Sequence, residues 1–250
     1  APNLTDTMNR QSNIDTVIYA VVLVAVVGVL LSVVYQALRP QQIENIENDT
    51  KRQILAAALI TPAPGENVAD LYGSHITDSF IVNANGDRVE SGEKAFDVKV
   101  ANEVKKSDVS QRLLPIFVCT TDNGLKYIVP VYGAGLWGPI WGYVAFDANG
   151  DTVYGAYFAH QGETPGLGAE IEKPAFLDQF EGKDIFAADG AFQGIKVVKI
   201  GQEPADGSAW VHAVSGGTIT SQGVQKMLSN SLEPYTPFFN KLSKEKEADK

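Results

Sequence analysis

The apolar positions of this 250-residue chain show two textures. From Thr16 to Leu38 the side chains are mostly apolar and none is charged, a run that would extend about 34 Å as a helix and so cover a hydrocarbon core of roughly 30 Å. A cleaved leader has an apolar core of only about 7–15 residues behind a basic segment. Here Arg10 alone precedes the run as a basic residue, and Tyr35-Gln36-Ala37-Leu38 passes into Arg39-Pro40 without a small-residue cleavage site, so an uncleaved signal-anchor is expected. Beyond Pro40, the stretch 41–59 carries an apolar stripe at helical spacing and is predicted to be a stalk or the first helix of a domain.

The second texture is shorter-ranged. Apolar and β-branched runs at 80–82, 96–100 and 114–118 are separated by turn signals such as Asn85-Gly86 and Asp122-Asn123-Gly124, and they predict strands. Further strands are expected over 126–131, 142–146, 153–159, 195–200 and 209–214, with helices over 170–180 and 221–232. Strands and helices in this order give an α+β domain. The charge-rich end, 241–250, lacks apolar periodicity and is expected to be a solvated tail. The predicted organisation is therefore a tail (1–15), a transmembrane helix (16–38), one extracytoplasmic globular domain (39–240) and a charged tail (241–250).

The net charge of −10 argues against nucleic acid as a partner. Charge does not fix orientation across a bilayer, because Arg10 on one side opposes Arg39, Lys51 and Arg52 on the other. Cys119 is the only cysteine, which excludes an internal disulfide framework and a thiolate metal site within one chain. His75, His160 and His212 are scattered without metal-ligand spacing. The Gly-x-Gly-x-x-Gly spacing at Gly133, Gly135 and Gly138 falls in a loop between predicted strands and not before a helix, so it is not read as a dinucleotide-binding loop, and no nucleophile, base and orienting acid are set out for turnover.

Candidate chemistry lies in three blocks. Ser215-Gly216-Gly217-Thr218-Ile219-Thr220-Ser221 places hydroxyls on a glycine turn before a helix carrying Val224, Met227, Leu228 and Leu232, with Thr220 or Ser221 as N-cap. The free N–H groups and positive dipole end of such a helix make the turn a suitable seat for phosphate, although an isolated Ser-Gly-Gly-Thr is far more often an ordinary capped corner, and only the other two blocks reverse that reading. Gly133-Ala134-Gly135-Leu136-Trp137-Gly138-Pro139-Ile140-Trp141-Gly142 sets two tryptophans in a glycine-rich loop, either as one wall of a flat ligand pocket or as plugs of the core. His160-Gln161-Gly162-Glu163-Thr164-Pro165-Gly166-Leu167-Gly168 offers backbone donors, a hydroxyl and a carboxylate after a strand.

Taken together, Gly-Leu-Trp, then His-x-x-Glu-Thr-Pro-Gly-Leu-Gly, then Ser-Gly-x-Thr-x-Thr-Ser resemble, in the same order, the FMN-binding domain family of ion-translocating respiratory complexes. The segment from His212 to Thr218 is similar to that family's flavinylation motif Asp-x-x-(Ser/Thr)-Gly-Ala-Thr, with His212 in place of Asp and Gly217 in place of Ala. The resemblance extends over nearly the whole chain, anchor included. It is nearest to the branch found in Na+-translocating NADH:quinone oxidoreductases, the Rnf ferredoxin:NAD oxidoreductase branch being the alternative.

The resemblance implies covalent FMN as cofactor, its phosphate esterified to Thr218, with Ser215, Gly216, Gly217 and Thr220 shaping the turn. It implies Leu136 and Trp137 beside the isoalloxazine, and Glu163, Thr164, Leu167 and Gly168 on the ring's polar edge and opposite face. Lys199 reads either as a cation near the pyrimidine edge, which would stabilise a reduced ring, or as a solvated strand-end lysine. The implied function is one-electron relay in a bacterial inner-membrane complex, with the domain on the outer face. Partners would be the other membrane subunits and, during maturation, a flavin transferase. An anchored assembly protein with a degenerate flavin site is the reading that His212 keeps open.

Overall fold

The computed structural model describes residues 4–248, with side chains from 13 to 244. The chain divides into two compact units between Asp49 and Thr50. The first unit is helical, the major part of α1 (Leu4–Ala57), which continues through Pro40. The segment Asn13–Ala57 contains an 18-residue window of mean hydropathy 3.0, none of it buried within the chain. Val17, Leu23, Leu30 and Leu31 project outward. The helix is long and apolar enough to cross a membrane, where its side chains would find the apolar surroundings that the protein itself does not provide.

The second unit is built on a six-stranded antiparallel sheet in the order β2-β1-β3-β4-β5-β6. Its strands are β1 (Ile76–Val82), β2 (Arg88–Val89), β3 (Leu114–Thr121), β4 (Gly124–Ala134), β5 (Pro139–Asp147) and β6 (Val153–His160). The first six residues of β3 are all buried, because both faces of the sheet are covered and alternation with polar residues is not required. One face packs Val129, Val131, Val144, Phe146 and Phe158 against Val224, Met227 and Leu228 of α5 (Thr218–Leu232) and Phe239 of α6 (Thr236–Ala248). The other packs Phe117, Cys119, Ile128 and Ala145 against Ile54, Ala57 and Ala58 at the end of the first helix, and against Ala95 and Val98. The helix α2 (Val68–His75) leads into β1, and a parallel pair, β7 (Lys196–Val198) and β8 (Trp210–His212), leads into α5.

Three expectations are corrected by local physical causes. The strand predicted over 96–100 is a 3-10 turn (Ala95–Asp97) followed by α3 (Val100–Glu103). Its buried residues are Ala95 and Val98, three apart, which suits a tight helical turn and not a period of two. The helix predicted over 170–180 is broken into a 3-10 turn (Gly168–Glu172), α4 (Pro174–Leu177) and a second 3-10 turn (Asp178–Phe180). Pro174 drives Lys173 to an extended φ of −90° and ψ of 149°, and the break follows. The tail expected over 241–250 is helical to Ala248, because Phe238, Phe239 and Leu242 anchor α6 to the core while Lys241, Ser243 and Lys244 face solvent.

Candidate functional site

The sheet brings the three sequence blocks to one end. The β4–β5 hairpin closes with the Gly135 N–H donating to the Gly138 carbonyl at 2.8 Å, so Leu136 and Trp137 stand at its tip. Ile140 at the start of β5 pairs with His160 at the end of β6, which sets the 161–168 turn beside that tip. Helix α5 lies along β4: Gly133 leaves room for Met227, and Ser231 Oγ accepts the Tyr132 N–H at 3.2 Å. Its N-terminus therefore arrives at the same corner.

Residues Leu136, Trp137, Glu163, Thr164, Leu167, Gly168, Gly216, Gly217, Thr218, Ile219 and Thr220 line a cavity of about 230 Å³ there. Leu136, Trp137, Leu167 and Ile219 rim it with exposed apolar surface, Trp137 being 69% exposed. A fully enclosing ligand pocket has roughly 300–1,000 Å³, so this one can house only part of a cofactor-sized molecule. A larger groove of about 610 Å³ lies elsewhere, lined by Arg112, Asn230, Glu233 and Thr236 among others. It has no glycine turn, and the Arg112 guanidinium is engaged by the carbonyls of Val104, Lys106 and Asn230.

The helix begins three residues earlier than expected, at Thr218, with Gly217 as N-cap and no side chain capping it. Thr220 and Ser221, the expected caps, lie inside the helix and serve other contacts. Thr220 Oγ1 donates to Glu163 Oε2 at 2.6 Å, and Ser221 Oγ accepts the Val214 N–H at 3.0 Å. The Ser221 N–H is the first to find a helical carbonyl, that of Gly217. The N–H groups of the first turn thus have no helical carbonyl to bond, and the residues that carry them, the half-buried Thr218 with Ile219 and Thr220, line the cavity at the positive end of a 15-residue helix. Gly216 reaches the turn with φ +72°, where a Cβ would also stand 2.6 Å from Leu167 Cδ2.

Glu163 is 4% exposed. Its Oε1 accepts the Trp137 N–H at 2.9 Å, and its own N–H donates to His160 Nδ1 at 3.2 Å. Burial alone would raise its pKa. Hydrogen bonds from the Thr220 hydroxyl and the Trp137 and Leu136 N–H groups, with His160 adding to them, more than offset burial and hold the carboxyl below its ordinary value.

This geometry suits an anionic group at the helix N-terminus and a flat apolar one against the rim. Residues 135–233 match the family model of the FMN-binding domain. NqrC of Vibrio anguillarum, a subunit of the Na(+)-translocating NADH-quinone reductase, is 33% identical in an alignment that covers 87% of this chain and 89% of that protein. The chain belongs to the NqrC family. The Yersinia pestis member is 32% identical over 94% of each chain. The crystal structure of the Parabacteroides distasonis member superposes with a TM-score of 0.74 at 44% identity, covering 81% of this chain and 96% of that one. The Shewanella oneidensis NqrC structure gives 0.66 at 28% identity, covering 79% and 98%. The α+β fold behind an apolar helix is thus that of the family, and other subunits of the reductase are expected around it.

Of the residues singled out from the sequence, Leu136, Trp137, Glu163, Thr164, Leu167, Gly168, Gly216, Gly217, Thr218 and Thr220 line the cavity together. Ser215 lies in the turn but is exposed, outside the lining. Lys199 is exposed just beyond β7 and does not line the cavity. Trp141 lies on β5, its Nε1 donating to Gln53 Oε1 at 3.2 Å, away from the rim. Ile219 joins the lining unannounced. Its signal was present, as an exposed apolar residue in the first turn of a helix whose apolar stripe faces elsewhere. His212 holds the stem of the turn: its N–H donates to Gln179 Oε1 at 2.8 Å, and its ring packs edge-on to Trp210 at 4.8 Å.

Proposed function

We propose that the domain carries FMN joined by a phosphoester to Thr218 and relays electrons one at a time between neighbouring subunits of a Na+-translocating NADH:quinone reductase. The observation that carries this reading is the position of Thr218, the first residue of an uncapped helix, on the wall of the cavity. A phosphate ester there would receive the N–H groups and dipole of α5, while Leu136, Trp137, Leu167 and Ile219 supply the apolar surface for the ring. FMN supplies the redox chemistry when bound, and the protein supplies position and electrostatics. Attachment requires Thr218 Oγ1 to lose its proton and form the P–O bond, with the leaving group coming from the activated flavin donor of a transferase. In this reading the apolar helix anchors the chain in the bacterial inner membrane, with the domain on the outer face, where FMN once lost would not be readily replaced from the cytoplasm.

The test is the mass of the Thr218 peptide and in-gel flavin fluorescence after co-production with a flavin transferase, with Thr218→Val alongside. An FMN-sized increase that the variant lacks is the expected result. A yellow but unmodified protein would replace the ester with non-covalent binding. A colourless, unmodified protein would overturn the reading in favour of an assembly role, the departure at His212 being the first feature to revert to Asp.

A further inference from the structure

The walls of the cavity come from three separate stretches: the hairpin tip at 135–138, the turn at 164–168 and the start of α5. One side chain joins all three. Glu163 Oε1 takes the Trp137 N–H at 2.9 Å and Oε2 takes the Thr220 hydroxyl at 2.6 Å, so the carboxylate bridges the tip and the helix from its own place at the head of the turn. The packing around it leaves no slack. A Cβ on Gly168 would fall 2.5 Å from Thr220 Oγ1, and one on Gly135 would fall 3.1 Å from Glu163 Cδ. Both carboxylate oxygens are thus committed to the protein. Glu163 forms part of the cavity wall while being held from behind, so its effect on a ligand comes through its charge and through the groups it fixes.

Building on the flavin reading, we infer that Glu163 is a positioning residue, a charged clamp that holds the seat in register and whose buried negative charge keeps the flavin's reduction potential low. Reduction adds negative charge to the ring, and a fixed carboxylate in a poorly solvated wall disfavours that charge. Glutamine separates the two roles. Its Oε1 can still accept from Trp137, and its Nε2 can donate to Thr220 Oγ1, which turns from donor to acceptor. Glu163→Gln therefore removes the charge and keeps the bridge, Glu163→Ala removes both, and Thr220→Val removes one strut while leaving the charge.

The experiment uses the full-length protein in detergent and has two readouts: amide hydrogen exchange at Leu136 and Trp137 without flavin, and the flavin potential of loaded protein. Glu163→Ala is expected to speed exchange at both amides at least tenfold, with the β4 and β5 core unchanged. Thr220→Val should speed it less, and serves if the alanine variant fails to fold. Glu163→Gln should leave exchange within about threefold and shift the potential upward. Unchanged exchange in the alanine and valine variants would overturn the clamp, and an unmoved potential in the glutamine variant would overturn the electrostatic role. If the wild-type chain carries no flavin while Glu163→Ala still frees the two amides, the flavin reading fails and the clamp stands.

Discussion

Gly223→Ala sets two known effects against each other, and the structure decides the sign. Alanine in place of glycine inside a helix normally stabilises by about 1 kcal/mol, through helix propensity and the lower entropy of the unfolded chain. Gly223, however, lies in α5 against the end of β4, and a Cβ there would fall inside contact distance of the Ala134 carbonyl oxygen, with Ala134 C and Gly135 Cα each at 3.4 Å. These are backbone atoms of a strand end whose residue Ala134 pairs with Pro139, so no rotamer change relieves the clash. The helix must move, and overpacking of this kind costs about 1–3 kcal/mol. Because the clashing atoms are all backbone, the upper part of that range applies, about 2–3 kcal/mol, and the net expectation is a loss of about 1–2 kcal/mol. For a domain of this size that lowers the melting temperature by about 2–8 °C. Gly73→Ala is the internal control, because Gly73 is helical in α2 and a Cβ there meets nothing within 4 Å. It should stabilise by about 0.5–1 kcal/mol. Thermal melts of the two full-length variants in the same detergent, followed by far-UV circular dichroism, make the comparison. A rise for both, or no change at Gly223, would refute the claim that α5 is pinned against the strand end at the site.

Two further outcomes follow from the same geometry. Burial pushes the Cys119 thiol up to about 11, with Lys126 opposing only in part; thiol labelling of native protein at pH 8 should therefore proceed only as fast as unfolding, and fast labelling before unfolding would contradict the packing. The sign is that of an acid with a raised native pKa, so its contribution to stability is present below pH 9 and is lost as pH rises towards 11. Gly216→Ala should destabilise by about 1–2 kcal/mol, because φ +72° is a left-handed conformation that an L side chain resists; urea unfolding measures it, and an unchanged midpoint would show that the turn relaxes freely.

The candidate site was legible because its chemistry is local. The turn at 215–218, the hairpin tip and the Glu-Thr-Pro-Gly-Leu-Gly turn each carry glycines where backbone must come close or φ must be positive, and these constraints act over a few residues. What brings the three together is not local. Ile140 pairing with His160 and α5 lying along β4 are contacts between residues distant in sequence, and no short window contains them. The same limit explains the helix start. Thr220 and Ser221 are good caps in isolation, but Glu163, 57 residues away from Thr220, takes the threonine hydroxyl, and Val214 takes the serine. The strand expected over 96–100 failed for a related reason: its valines and phenylalanine suit a strand by propensity, and only packing of Ala95 and Val98 on the sheet chooses the tight turn.

The size of the cavity bears on why a tether would be useful. At about 230 Å³ it encloses only part of a flavin nucleotide, and its rim of Leu136, Trp137, Leu167 and Ile219 faces outward. Such a seat leaves part of a bound ring accessible to a partner, which a relay between subunits needs, but it also removes less apolar surface from water than a closed pocket would. Affinity from contacts alone is correspondingly limited, while access improves as enclosure falls. An ester at Thr218 would break that link, because retention would rest on a covalent bond and the seat could stay open. On this argument openness and covalent attachment belong together: a family member with a deep, closed flavin pocket would have less need of the threonine, whereas with an uncapped helix and an exposed tryptophan, as here, an ester would add retention that the contacts alone do not supply.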